Sequence, residues 1–355
     1  MPASAPTEQR EPSSAAAAKP LTPGATKKRM LIIVNPYATT VSDRLKNLVV
    51  YALQARYDVE AVDTEASEHA IEIGREARDG GYDIVVAFGG DGTLNEVVNG
   101  LAGTDVPVSV LPGGSTNVVC RTLGIPNDVV DATEHLIGLA DDFHPRKVDL
   151  GRCNGRHFVF ACGVGLDASV VRRVDAHPLL KARARYWYYT WAAVTAFYSE
   201  YLRDPVRLEL ELEGERIEGI TAIAQNSDPF TYFADIPIRI AEQIALDDGR
   251  ISLALLRRAA QRDMLPVAAR VLSKRLMVAK HRQVETFEGV REAMVRSISI
   301  EEGGNRRPLP VQVDGDYIGE HAEMRLSVEP HATDARQFNS GQLANRNQFA
   351  QRVFR

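Results

Sequence analysis

The sequence predicts an α/β domain on a parallel sheet, joined to a second, mainly antiparallel β-rich domain. Three observations carry that fold class. Up to about residue 145, short apolar runs alternate with helix-length segments, the pattern of a parallel sheet covered on both faces. Two glycine-rich stretches, Gly89-Gly90-Asp91-Gly92 and Pro112-Gly113-Gly114, each follow one of those apolar runs. From Val206 onward, period-two segments separated by turns such as Glu213-Gly214, Asp248-Gly249 and Asp314-Gly315 take over.

Met30 to Val34 reads as the first strand, and Ser42 or Asp43 can cap a helix reaching about Ala55. Val59 to Val62 is the second strand, with a helix from Glu68 to Arg78 after it. Ile84 to Phe88 is apolar throughout, as a strand buried on both faces must be. The first glycine-rich turn follows, then a helix over Leu94 to Leu101. Val108 to Leu111 is the fourth strand, and Pro112-Gly113-Gly114-Ser115-Thr116-Asn117 leads into another helix. The character changes near Lys147. Strands are then expected over Val206 to Leu212, Ile217 to Ala224, Ile251 to Leu256, Val295 to Ile300, Val311 to Val313 and Met324 to Val328. Two helices interrupt them, at Leu179 to Tyr201 and Asp263 to Val278. The expected divisions are a disordered tail over 1–27, the α/β domain over 28–145, the β-rich domain over 146–330 and a polar tail over 331–355. No internal repeat is visible.

A chain of 355 residues can bury the cores of two domains. Its formal net charge of -5 argues against nucleic acid as a partner. Cys120, Cys153 and Cys162 form no CxxC pair and read as reduced thiols of a cytoplasmic protein. The N-terminal stretch, rich in Ala, Pro, Ser and Thr, lacks the apolar core of a signal peptide. The longest apolar-aromatic run, Tyr186 to Tyr198, is shorter than the ~20 residues a membrane-spanning helix needs, so the chain is expected to touch a membrane without crossing it.

Chemistry concentrates at the two glycine-rich loops. Glycines at a strand-to-helix turn let main-chain N–H groups face an anion with no Cβ in the way. An aspartate inside such a cradle repels phosphate unless a divalent cation lies between them. Gly89 to Glu96 therefore predicts a site for Mg²⁺ and a nucleotide, and points to a kinase. No GxxxxGK[ST] occurs, which excludes a P-loop enzyme. Ligands of an open parallel sheet sit at the carboxyl ends of its strands, where both loops fall.

Read together, GGDGTLNE and LPGGSTN resemble the bacterial soluble diacylglycerol kinases and related lipid kinases, which share a catalytic domain with sphingosine and ceramide kinases. The resemblance runs from about Lys28 to Pro330. It implies an α/β nucleotide-binding domain, a β-rich lipid-substrate domain, and an active site in the cleft between them. By position it implies ATP contacts from Thr64, Gly89, Gly90, Asp91, Gly92, Thr93, Leu94, Asn95 and Ser115, with Asp91 also catalytic. Ser115 stands where the family usually carries Thr. Asn35-Pro36 fits the family's opening dipeptide, without the glycine that often follows. In Val313-Asp314-Gly315-Asp316, Asp316 holds the place of the family's general base, usually Glu, and reaches about 1.5 Å less far. Asp314 reads as a turn or metal-network residue. The turn Ala245-Leu246-Asp247-Asp248-Gly249-Arg250 resembles one that binds a structural Mg²⁺ in several bacterial members, here through Asp248 and the carbonyls of Ala245 and Arg250.

The acceptor implied by the resemblance is diacylglycerol or a similar lipid, giving phosphatidate. Arg172, Arg173, Lys181, Arg183 and Arg185 lead into Tyr186-Trp187-Tyr188-Tyr189 and Trp191, a pairing suited to peripheral contact at the inner face of the membrane. A second basic set, Arg257, Arg258, Arg262, Arg270, Lys274, Arg275, Lys280 and Arg282, flanks the helix at Asp263. The plainer reading of both is a packed aromatic face and a solvated charged one. Edge strands in the second domain leave a homodimer open. The alternative enzyme is NAD kinase, which shares GGDGT; its downstream Asn-Glu is missing after the second loop, where Asn226-Ser227-Asp228 is a distant echo. The other alternative is a catalytically weak nucleotide- or lipid-binding regulator.

Overall fold

Four strands form the first sheet: β1 (Lys28–Val34), β2 (Tyr57–Asp63), β3 (Ile84–Gly89) and β4 (Val108–Pro112) run parallel in the order β2-β1-β3-β4. Every residue of β3 and β4 is buried, which is why those runs carry no polar alternation. The computed structural model describes residues 26–335 except 142, 242–243, 259, 272 and 274–276, and within its helices and strands leaves some side chains, including those at 181–186 and 331–335, outside the description. Both expected tails, apart from residues 26–27 and 331–335, thus lie outside the described residues, as do Lys274 and Arg275.

The connecting helices are α1 (Asp43–Leu53), α2 (His69–Ala77), α3 (Asp91–Leu101), α4 (Val118–Leu123) and α5 (Val129–Leu139). Ser42 caps α1, its Oγ accepting the Leu45 N–H at 3.2 Å. For α2 the cap comes from another helix: Glu96 of α3 accepts the N–H groups of Glu68 and Ala70. The chain leaves β1 toward β2 and returns across it to β3, so the strand order reverses between β1 and β3. Such a reversal opens a crevice at the carboxyl ends of the two strands. Asn35 and Gly89-Gly90 stand at its rim.

The second domain holds β5 (Arg146–Cys153), β6 (Arg156–Phe158), β7 (Ala161–Gly165), α6 (Leu166–Asp175), α7 (Pro178–Ala196), β8 (Leu208–Leu212), β9 (Glu215–Gly219), β10 (Thr221–Gln225), β11 (Thr231–Phe233), β12 (Ile236–Ile238) and β13 (Ile251–Leu256). It continues through α8 (Gln261–Val271), β14 (Val284–Val290), β15 (Glu292–Ser297), β16 (Leu309–Val313), β17 (Asp316–His321) and β18 (Glu323–Ala335). One six-stranded antiparallel sheet runs β14-β13-β10-β7-β16-β17. β11 and β12 pair only with each other, and the remaining strands extend the first sheet: β18 pairs with β4 at Ala335 and with β5 and joins β15, β8 and β9 beyond it, so the domains share a ten-stranded sheet. A core containing Phe158, Leu208, Leu253, Val295, Val311 and Leu326 fills the second domain, while Met30 to Val34 and Ile84 to Phe88 centre the first. Among the described residues no helix is long and apolar enough to cross a membrane.

Several local expectations are corrected. Helix α3 begins at Asp91, three residues before Leu94, because extended Gly90 turns the chain directly into the helix. The segment from Ile217 to Ala224 is two strands in different sheets, and the switch falls where a Cβ on Gly219 would lie 2.6 Å from the Leu255 side chain. β18 extends to Ala335, five residues into the expected polar tail, because main-chain pairing with Arg146, Lys147 and Val148 holds it whatever its side chains. α8 stops at Val271, short of the expected Val278.

Close helix contact decides one position. A Cβ on Gly100 would sit 2.6 Å from the Ile71 carbonyl oxygen and 2.8 Å from Gly74 Cα, so α2 and α3 meet backbone to backbone. Gly100→Val is expected to cost about 1–3 kcal/mol of overpacking. Urea unfolding midpoints check this, and an unchanged midpoint would refute it.

Candidate active site

The two glycine-rich loops lie against each other. Gly113 donates its N–H to the Gly89 carbonyl at 2.7 Å. A Cβ on Gly113 or on Gly114 would come within 2.8 Å of Gly89 Cα or Gly90 Cα respectively. Any side chain there would part the loops, which is the physical reason for glycine at these positions. Asn117, in a left-handed conformation, accepts the Gly114 N–H and donates back to the Gly114 carbonyl, closing the second loop on itself. The loop after β1 joins them: Thr40 donates its N–H to the Gly113 carbonyl, and Asn35 Nδ2 donates to Thr93 Oγ1 at 3.1 Å. Three strand ends are thus bound into one cradle with main-chain amides on its inner surface.

Asp91 is the first residue of α3 and links the loops. Its Oδ2 accepts the Val118 N–H at 2.9 Å and its Oδ1 the Val119 N–H at 3.2 Å, tying the start of α3 to the start of α4. Burial pushes its pKa up to about 6, against the pull of those two bonds and of Arg121. Each carboxylate oxygen keeps lone pairs beyond these contacts. A carboxylate whose charge is disfavoured by burial is relieved by a cation, so Asp91 fits a divalent ion beside a bound phosphate.

The second domain brings its acidic turn to this place. Val313 and Asp316 are paired across a two-residue loop, Asp314-Gly315, with φ of 49° and 84°. Both loop residues have positive φ, as a type I′ hairpin requires, which explains Asp-Gly there. The Asp316 carboxylate lies so near the first turn of α3 that a Cβ on Gly92 would collide with its Oδ2. Asp316 therefore sits against the residue that follows Asp91, at the positive end of a helix, which favours a carboxylate there. Gln312 sets the turn from behind, accepting the Gly315 N–H through Oε1 and donating through Nε2 to Asp167 at 2.8 Å. Asp167 is also pushed up to about 6 by burial.

Asp314 points the other way. Its Oδ2 accepts Asn95 Nδ2 and the Val159 N–H, both at 2.7 Å, and its Oδ1 accepts the N–H groups of Phe160 and Ala161. Burial raises its pKa, and those four bonds oppose the rise. Asp314 is thus the bolt between α3 and the second domain.

The expected contacts divide into those in the cradle and those spent on structure. Gly89, Gly90, Asp91, Gly92 and Ser115 lie in the cradle or on its rim. Thr93 holds Asn35, and Leu94 is packed into the core, leaving their main chains as their groups nearest a ligand. Asn95 is used up at the domain junction, donating to the His157 carbonyl and Asp314 and accepting from Arg156 and Asn99. This side chain is corrected from ligand contact to junction, because its amide is already bonded to groups of the second domain and of α3 itself. Thr64 is buried at the end of β2, its N–H bonded to the Val34 carbonyl. Asp248 is exposed and accepts the Arg250 N–H at 3.0 Å, while buried Asp149 accepts the Gly249 N–H. Among the described residues no group of three or more His, Cys, Asp or Glu side chains could hold a metal ion. The structural Mg²⁺ expected at this turn calls on one carboxylate, Asp248, and the carbonyls of Ala245 and Arg250 rather than on such a group. Glu96, Asn117, Asp167 and Gln312 were not foreseen. Glu96, inside GGDGTLNE, and Asn117, inside LPGGSTN, carried a local signal; Asp167 and Gln312 acquire their partners through the fold.

Comparison with known proteins agrees with this geometry. A family model described as the diacylglycerol kinase catalytic domain matches residues 29–153. A second, described as the YegS C-terminal NAD kinase beta sandwich-like domain, matches residues 161–335. A diacylglycerol kinase of Bacillus subtilis (strain 168) is 30% identical over 258 residues, covering 69% of this chain and 79% of the relative. One from Staphylococcus aureus (strain bovine RF122 / ET3-1) is 28% identical over 319 residues, covering 86% and 91%. A crystal structure of a diacylglycerol kinase from Bacillus anthracis str. Sterne superposes with a TM-score of 0.62 at 18% identity, covering 88% of this chain and 98% of that one, and so shares the fold.

The Asp314 bolt has a measurable weight. Asp314→Ala strands buried N–H groups at Val159, Phe160 and Ala161 and frees Asn95. A loss of at least about 3 kcal/mol is expected from chemical denaturation. A loss under about 1 kcal/mol would remove Asp314 from that role.

Proposed function

Because this chain belongs to the diacylglycerol kinase family, and is on that footing a lipid kinase, we propose that it transfers the γ-phosphate of ATP to the hydroxyl of diacylglycerol or a related lipid, giving phosphatidate or its analogue. The observation that carries this reading is the seating of Asp316, from the second domain, against the first turn of α3 beside the glycine cradle. An acceptor entering between the domains would meet a carboxylate on one side and the phosphate cradle on the other. The protein would act as a peripheral visitor to the bilayer that holds its substrate.

In this reading the uncapped amides at the first turn of α3 hold the triphosphate, with Ser115 supplying a hydroxyl. Mg²⁺, held by Asp91, would neutralise phosphate charge. Asp316 orients the acceptor hydroxyl and takes its proton late. A carboxylate is far too weak a base to remove an alcohol proton in advance. It need not, since phosphoryl transfer has a loose transition state in which placement and charge neutralisation dominate. The shorter reach of Asp compared with Glu is offset by the close approach that Gly92 permits.

The alternative acceptor is a soluble dinucleotide, favoured by one observation: the second matched model is described as NAD kinase-like. Labelled ATP with a lipid panel and NAD separates these, because phosphorylated lipid partitions into organic solvent. Organic-soluble label is expected; label only in water would support the dinucleotide, and binding without any turnover a regulator. Asp316→Asn is expected to lose turnover by about 10²-fold or more while still binding nucleotide. Retained turnover would strip Asp316 of its role.

Proton and cation compete for Asp91. With a pKa near 6 its carboxyl is ionised at neutral pH and protonated below that value. Calorimetric affinity for the Mg²⁺ complex of a non-hydrolysable ATP analogue is therefore expected to fall several-fold as the pH drops from about 7.5 to about 5.5. In Asp91→Asn the affinity is lower throughout and the slope lost. A wild-type affinity flat across that range would exclude Asp91 as the cation's partner.

A further inference from the structure

Helix α7 is apolar on two sides, and among the described residues only one of them is packed against the rest of the protein. Tyr188, Ala192 and Ala196 are buried; Tyr188 and Ala192 pack with Val174 of α6, and Tyr188 donates its hydroxyl to the Arg173 carbonyl. On the other side Trp187, Trp191, Val194 and Tyr198 are 77%, 53%, 50% and 52% exposed. Their spacing of four, three and four residues puts them on one stripe running from α7 into the turn after it. The Trp191 ring stacks on Tyr188 at 5.6 Å, and Tyr198 packs edge-on against Phe197 at 5.2 Å, so buried residues brace the exposed rings. Large aromatics left in water in a row are costly and mark a contact surface.

We propose that this stripe is the face by which the protein docks on an anionic lipid bilayer, a proposal that rests on the lipid-kinase reading and specifies how the enzyme meets its substrate. Charge is the first reason. The chain is acidic overall, yet α7 carries Lys181, Arg183 and Arg185 and no acidic residue. Those cations lie in the turns ahead of Trp187, whatever the direction of their side chains. Anionic lipid attracts such a segment by about 1 kcal/mol per cation. Two copies of this helix facing each other would instead bring like charge together, which disfavours a second copy as occupant.

Chemistry is the second reason. Trp and Tyr settle at the headgroup level of bilayers, with the ring in the apolar boundary and the polar edge outward. Position is the third. α6 packs directly behind the catalytic hairpin: Asp175 accepts the N–H of Tyr317, the neighbour of Asp316, at 3.1 Å, and Arg172 pairs with Glu320 at 2.6 Å. α7 starts at Pro178, soon after Asp175, and packs on α6 through Tyr188 and Ala192, so the stripe is carried on a helix braced by the one that supports the Asp316 hairpin. Docking through α7 would set the bilayer against the helix pair that supports the Asp316 hairpin.

The chain's two tryptophans, Trp187 and Trp191, both lie in the stripe, so intrinsic fluorescence reports on this face alone. With phosphatidylglycerol–phosphatidylcholine vesicles the emission is expected to move to shorter wavelength and to be quenched by brominated acyl chains; pure phosphatidylcholine should change it little. Trp187→Ser/Trp191→Ser is expected to co-sediment with the anionic vesicles about tenfold less tightly. Emission indifferent to anionic vesicles, or a shift that needs only higher protein concentration, overturns the proposal. Detergent-dispersed diacylglycerol separates its failure from that of the lipid-kinase reading. Phosphorylation of the dispersed lipid by a chain whose tryptophans ignore vesicles sinks the docking face alone. Tryptophans that enter vesicles while neither form of the lipid is phosphorylated sink the kinase reading and leave the docking face standing.

Discussion

One buried carboxylate determines how the halves of this molecule meet. Asp314 collects the amides of Val159, Phe160 and Ala161 and the side chain of Asn95, and so fixes the β16–β17 hairpin to α3. Burying a carboxylate is unfavourable unless its oxygens are well supplied with donors, and here four N–H groups converge on it. Because Asp314 is held, its turn-mate Asp316 is placed. Because Asn95 lies one helical turn beyond Asp91, the same bond fixes how α3 faces the second domain. The cleft is therefore not a gap between loosely tethered bodies; β18, paired with both β4 and β5, adds a shared sheet to the bolt.

The cleft gathers negative charge where a kinase must bind a more negative ligand. Asp316 lies against Gly92, the residue after Asp91, and burial raises the proton affinity of Asp91 and of Asp167 behind the hairpin. This arrangement is unfavourable by itself and becomes favourable with a cation between carboxylate and phosphate. Helix α3 moderates the cost, since Gly90 leaves its first turn without a side-chain cap and its amides available. The glycines contribute shape as well as flexibility: the Gly89–Gly113 and Gly90–Gly114 contacts bring main chains to a separation that no side chain allows.

Support for the site is layered on the far side of the hairpin. Gln312 grips the turn and Asp167, α6 carries Asp167 at one end and Asp175 at the other, and α7 continues from it with its aromatic stripe outward. The exposed stripe of α7 and the geometry of Asp316 thus share one support, α6.

Much of this was legible in the chain itself. Uniformly apolar runs at Ile84 to Phe88 and Val108 to Leu111 identified strands buried on both faces, because only such strands lack polar alternation. Ser42 announced a helix start and Asp314-Gly315 a hairpin, since both depend on neighbours a few residues away. The glycine loops and Asp91 were visible for the same reason: a strand-to-helix turn is written in contiguous residues. What the sequence could not express is who meets whom across long separations. Asn95 belongs to a motif yet is bonded to Asp314, over two hundred residues away, so its use at the junction is decided by docking of the domains. Gln312 and Asp167 are ordinary residues until β16 lies beside α6. Strand β18 continues through His331 to Ala335 because β5 offers its backbone, a pairing indifferent to the polar side chains that suggested a tail. Local rules of turn and burial are set by sequence neighbours; hydrogen bonds that close a cleft exist only once the folded chain has placed both partners within about 3 Å of each other.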